Sequence, residues 1–163
     1  MNVNLSALLI SVSILMACCS RDNTHDHDGV IDSALSAYCI DQSLNLDSVV
    51  LLSKSVTPEG VDFNKVTVSS LEELGYRRVS DISSLISSSH ANVIESERVL
   101  PFLQKGYVAL GLIRILENEG HRVVEFQVFC EGGYCCNYDM YHFKQNTNED
   151  WVLVEVIESS INC

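Results

Sequence analysis

The chain has 163 residues, with 22 acidic against 10 basic side chains and a formal charge of −12. That balance excludes the electrostatic grip on phosphate backbones that nucleic-acid binding requires, and equally a peripheral hold on anionic lipid head groups. The length suits one domain with a sizeable core, and the seven cysteines make the redox compartment the first question to settle.

Leu5 to Ala17 is an uncharged run of Leu, Ile, Val, Ala, Met and Ser. It falls short of the roughly twenty apolar residues that cross a hydrocarbon core, and it fits the apolar region of an export signal. The preceding Met1-Asn2-Val3-Asn4 lacks the usual Lys or Arg. The run ends in Leu15-Met16-Ala17-Cys18, which resembles the lipobox of bacterial lipoproteins. The resemblance implies cleavage before Cys18 and acyl chains, palmitate among them, carried by that cysteine. An ordinary signal-peptidase cut near Cys19 is the alternative. At about 0.8 kcal/mol per buried methylene, two or more chains hold a protein on a bilayer almost irreversibly. Cys19 stands where an Asp would retain such a protein at the inner membrane. The resemblance therefore implies the cell envelope and, in a Gram-negative host, the periplasm-facing outer membrane.

The organisation expected is a signal peptide over 1–17, the lipidated Cys18 with a flexible tether to residue 29, and one domain over 30–163. Ser20 to Gly29 has no apolar residue and reads as a spacer. From Val30, apolar residues at helical spacing (Ile31, Ala34, Leu35, Tyr38) predict an amphipathic helix ending near Gln42. Val49–Leu52 reads as a strand and Val66–Val68 as another. Ser70 and Glu73 have capping-box spacing, so a helix is expected to start there and stop at Gly75. Ile82, Leu85 and Ile86 predict a further short helix over Asp81–Ser88.

After Pro101 the pattern is β. Tyr107–Leu116, Arg122–Cys130, Cys136–Lys144 and Trp151–Glu158 are separated by short segments rich in Gly, Asn, Asp and Glu, which predicts a four-stranded antiparallel meander. The fold class expected is α+β, with the N-terminal helices packed on one face of that meander. The motifs Leu110-Gly111-Leu112-Ile113-Arg114, Val124-Glu125-Phe126-Gln127-Val128, Gly132-Gly133-Tyr134-Cys135, Tyr141-His142-Phe143-Lys144 and Trp151-Val152-Leu153-Val154 resemble a group of uncharacterised exported bacterial proteins. That resemblance covers roughly residues 106–158, and it implies a fold and no activity.

An export signal makes paired cysteines the default. With Cys18 set aside for lipid, Cys19, Cys39, Cys130, Cys135, Cys136 and Cys163 remain, and the sequence does not choose among their pairings. A bond between the neighbours Cys135 and Cys136 would be strained. One of them is therefore expected to clamp the hairpin through Cys130, while the other reaches Cys39 or Cys163. A metal site on these thiolates, completed by His121 or His142, is the weaker alternative, because the two C-x-x-C arms of a zinc knuckle are missing. His25 and His27, alternating with Asp26 and Asp28, are weak metal candidates on an unorganised tether. No cofactor motif is present and no catalytic residue is assigned. The aromatic residues of the sheet are expected to be mostly core, with any on an uncovered face available for recognition.

Taken together, these features predict a lipid-anchored envelope protein that binds rather than catalyses, with a basic protein as the partner its acidity would suit. An immunity or inhibitor protein is the specific version, and an envelope hydrolase with a pocket between helices and sheet is the alternative. Cys18→Ser is expected to move the protein from the membrane to the soluble fraction on cell fractionation. A mutant that still sediments with membranes would refute the anchor.

Overall fold

The computed structural model describes residues 25–57, 65–129 and 137–160, with side chains over 29–57, 67–129 and 139–157. Val49–Leu52 is four consecutive apolar residues without alternation, a pattern that requires burial on both faces. It forms strand β1, and all four side chains are buried. Strands β3 (Asn92–Ile94) and β4 (Val108–Asn118) flank it, both parallel to it. Strands β5 (His121–Phe129), β6 (Asn137–Gln145) and β7 (Trp151–Ser160) then follow β4 as an antiparallel meander. The short β2 (Arg77–Arg78) pairs antiparallel with the far end of β4. One seven-stranded sheet results, in the order β3-β1-β4-β5-β6-β7 with β2 beside β4.

The α+β class and the C-terminal antiparallel strands agree with the sequence reading, but the sheet is larger than the four strands expected and its helices cover both faces. The reason lies in β4, where Leu110 and Leu112 point one way and Ala109 the other, so both sides need apolar cover. On the first face, α1 (His25–Asp41) lays Val30, Ile31, Ala34, Leu35 and Tyr38 against Leu110, Phe126, Tyr141 and Phe143. Leu85 and Ile86 of α3 (Ile82–Ser88) join that cluster. On the second face, Val68 of α2 (Lys65–Glu73) meets Leu116, Val123 and Met140. Leu103 of α4 (Val99–Leu103) meets Val50 and Ala109 on the same side. No helix among the described residues is long and apolar enough to cross a membrane.

Two local expectations are corrected. Residues 66–68 are helix rather than strand, because Val68 and Leu71, three apart, lie on one helical face against the second-face cluster. Ser70 and Glu73 therefore close α2 instead of opening a helix. The stop at Gly75 is as read: Gly75 has φ +91°, Gly75 N donates to Glu72 O (3.0 Å) and Tyr76 N to Leu71 O (3.0 Å). This is a Schellman cap, in which glycine takes the left-handed position without a Cβ penalty. The expected α3 is present, with the Asp81 carboxylate accepting from Ser84 N at 3.2 Å. Helix α1 begins at His25, so it takes in the last residues of the stretch read as spacer.

Gly111 has a second kind of constraint. Val56 N donates to Leu112 O (2.9 Å), which lays the segment after β1 across β4. A Cβ at Gly111 would stand 2.7 Å from both Val56 methyls and 2.9 Å from Phe129 Cε2. Gly111→Ala is expected to lower stability by about 1–3 kcal/mol in urea unfolding, the usual cost of overpacking. Adding Val56→Ala should recover part of that loss. Equal losses in the single and double variants would remove steric conflict with Val56 as the cause.

Candidate functional site

Four polar side chains from separate elements converge on the second face of the sheet. The Schellman cap of α2 turns the chain so that Tyr76 packs back against the Leu116, Val123 and Met140 cluster. His142 on β6 stands opposite Val123 on β5, which makes His121, two residues earlier, its diagonal neighbour. Glu155 on β7 stands directly opposite His142. That last pairing depends on a bulge: between the partners of His142 and Phe143, β7 holds one extra residue, Val154.

The contacts form one network. His142 Nδ1 lies 3.1 Å from Glu155 Oε1. A carboxylate only accepts, so Nδ1 is the donor, and in the neutral ring Nε2 then presents its lone pair. Two groups face that nitrogen: the Tyr76 hydroxyl at 3.2 Å and His121 Nδ1 at 3.0 Å. The Tyr76 and His142 rings meet edge to face, with centroids 6.2 Å apart. The His142 side chain is only 14% exposed, so water competes weakly for these bonds, whereas Glu155 reaches solvent. Burial, reinforced by the Glu155 charge, pushes the Tyr76 phenol up and keeps it protonated. Burial, then His142 and Lys144, pull His121 below the ordinary imidazole value. The cluster thus sets two imidazoles and a phenol against one acidic side chain.

A second feature lies on the other face. Between α1 and β7 runs an apolar groove of about 530 Å³, whose floor is Phe143, Trp151, Leu153 and Val156 and whose wall includes Ala37 and Ile40. Ile40 is 80% exposed, and Val152, Leu153 and Val154 are exposed along β7. Among the described residues, β7 pairs only with β6, so its outer edge carries unpaired backbone groups. Ser33 and Ser36 also line the groove, but their hydroxyls donate to Gly29 O and Asp32 O, both at 2.8 Å. Among the described residues, no histidine lines it.

The residues singled out from sequence are distributed differently. Cys39 is a free thiol in α1, packed with Leu35 and Tyr38, and burial pushes its pKa up. Cys18, Cys19, Cys130, Cys135, Cys136 and Cys163 lie outside the described residues. His25 and His27 fall in the opening turn of α1, and their side chains lie outside the described set. Of the sheet aromatics, Phe126, Tyr141 and Phe143 are core, and Tyr107 and Phe129 pack against the α4 cluster. Trp151 borders the groove, with the Arg122 guanidinium 5.3 Å from its ring centroid. In the sequence His121 and His142 stand out as ligands that could complete a cysteine metal site, and Tyr76 and Glu155 carry no signal of their own. No family, curated protein or solved structure matches the chain.

The His121 environment has a consequence for acid stability. Its folded-state pKa is lower than the unfolded value of about 6.5, so on acidification the unfolded chain takes up the proton more readily. The stabilising contribution is whole above that pH and is lost as pH falls toward the folded-state value. Urea midpoints should therefore decline below about pH 6.5, and His121→Gln should flatten part of that decline. An NMR titration placing His121 at or above the ordinary value would contradict this.

Proposed function

We propose that this chain is a lipid-anchored protein of the cell envelope that acts by binding a protein partner. The observation that carries the reading is the apolar groove beside the open edge of β7. An extended segment added to that edge would satisfy its unpaired N–H and C=O groups. The groove would take an apolar side chain from the same segment, so backbone pairing supplies affinity and the groove supplies selectivity. The formal charge of −12, with Asp32 and Asp41 at the α1 side of the groove, favours a basic segment. A basic toxin or envelope enzyme neutralised by an immunity or inhibitor protein has that character. The Cys18 anchor, through the spacer that follows it, keeps the binding face at the membrane surface where such a partner arrives.

The groove itself supports binding over hydrolysis. Its two serines are engaged with helix carbonyls and, among the described residues, no histidine lines it, so no serine–histidine pair forms from those residues.

Leu153→Lys places a charge at the groove floor and on the edge strand without touching the buried core. The variant should retain the native circular dichroism spectrum. It should weaken a partner captured from envelope extract at low salt by on the order of tenfold or more. The wild-type complex should also weaken as salt rises. Failure to capture any partner at low salt, or capture undiminished by Leu153→Lys, would refute this mode of binding.

A further inference from the structure

The Tyr76–His121–His142–Glu155 cluster is on the sheet face away from the groove and has no part in the binding proposed above. We propose that it is a site for a borderline divalent transition-metal ion, Zn²⁺ or Cu²⁺, whose protein ligands are His121 Nδ1, His142 Nε2 and the Tyr76 oxygen.

Three observations carry this. The first is spacing. His142 Nε2 is 3.0 Å from His121 Nδ1 and 3.2 Å from the Tyr76 oxygen. For bonds of about 2.0–2.1 Å, donors at those separations subtend angles of about 91–106° at a common ion, between square and tetrahedral geometry. The second is the carboxylate. Glu155 accepts from His142 Nδ1, which orients the ring so that Nε2 points into the cluster, toward Tyr76 and His121. A carboxylate placed behind an imidazole in this way orients metal-ligating histidines and raises their basicity. The third is an imbalance in the metal-free network. An sp² nitrogen has one in-plane lone pair, yet Nε2 faces both the Tyr76 hydroxyl and His121 Nδ1. Only one of those donors makes a full bond at a time, whereas an ion at the centre serves all three.

The ligands are also rigidly held. They come from β5, β6 and the capped end of α2, all packed on the Leu116, Val123 and Met140 cluster. Among the described residues no group of three or more His, Cys, Asp or Glu side chains could hold a metal ion, and the site proposed here instead takes the Tyr76 oxygen, 3.2 Å from His142 Nε2, as its third donor. Loading moves protons as well. His121 passes its proton from Nδ1 to Nε2 by exchange with solvent, and Tyr76 releases its phenol proton to solvent when it binds as phenolate. Cu²⁺ is the stronger Lewis acid of the pair toward N and O donors.

The test is titration of the full chain with Cu²⁺ or Zn²⁺ alone, followed by calorimetry and visible absorption. One saturable ion is expected. With Cu²⁺, a phenolate-to-metal charge-transfer band should appear and be absent in Tyr76→Phe. His121→Ala and His142→Gln should each lower affinity by at least about 100-fold, and Glu155→Gln by about 10–100-fold with the fold intact by circular dichroism. The His25→Ala/His27→Ala variant should bind as the wild type does. Absence of saturable binding would overturn the site. So would binding that survives His121→Ala together with His142→Gln, or binding lost in the His25→Ala/His27→Ala variant.

Discussion

The fold depends on one extra residue in β4. Strict alternation would send Leu112 and Ile115, three positions apart, to opposite faces of the sheet. The bulge at Ile113 restores them to one face, opposite Phe126 and Val124 on β5 and inside the same core cluster. The same step brings Arg114 opposite Glu125 on the other face, where the two form an ion pair with both side chains almost fully buried. Each buried charge costs several kcal/mol in lost hydration, so neither is tolerable without the other. A one-residue slip of β4 against β5 would separate them and also turn Leu112 and Ile115 out of the core. Charge and packing therefore specify the same register.

That register propagates across the sheet. The ion pair divides the second face into an α4 side, with Ala109 and Leu103, and an α2 side, with Leu116, Val123 and Met140. The α2 side is the floor on which the imidazole cluster stands. Once β5 is aligned on β4, the β5–β6 register brings His142 beside His121, and the Val154 bulge brings Glu155 opposite His142. Both bulges do the same physical work, re-aiming side chains that alternation alone would misplace. On the first face the same strands bury Tyr141 and Phe143 under α1, and the helix leaves the β7 margin uncovered. The two faces are therefore suited to different chemistry: a pre-organised polar cluster on one and an open apolar groove on the other.

Much of the local structure was legible because its signals are local. The apolar spacing of Val30 to Tyr38, the Asp81 cap, the Gly75 stop and the alternation of β5 each involve contacts within a few residues. What escaped depends on distant partners. Val49–Leu52 reads as a strand, but its parallel neighbours are β3 and β4, and β3 contributes only Asn92–Ile94, too short for periodicity to appear. Residues 66–68 look like a strand by β-branching, and the apolar cluster beneath Val68 overrides that propensity. The candidate sites divide in the same way. Cysteine and histidine attract attention as residue types, whereas Tyr76 and Glu155 are ordinary until the cap and the bulge bring them to His142.

The sequence alone determined the acidic balance, the apolar run ending at Cys18, the α+β class and the positions of α1, α3, β1 and the four strands of the meander. These follow from composition and short-range periodicity, which the chain carries whatever its tertiary contacts. Only the tertiary structure decided that helices cover both faces, that β1 is a parallel interior strand, and that β7 pairs with β6 alone among the described residues. It alone joined a tyrosine, two histidines and a glutamate into one network. Such features are set by register and packing between segments far apart in the chain, where a single inserted residue reverses which face a side chain occupies.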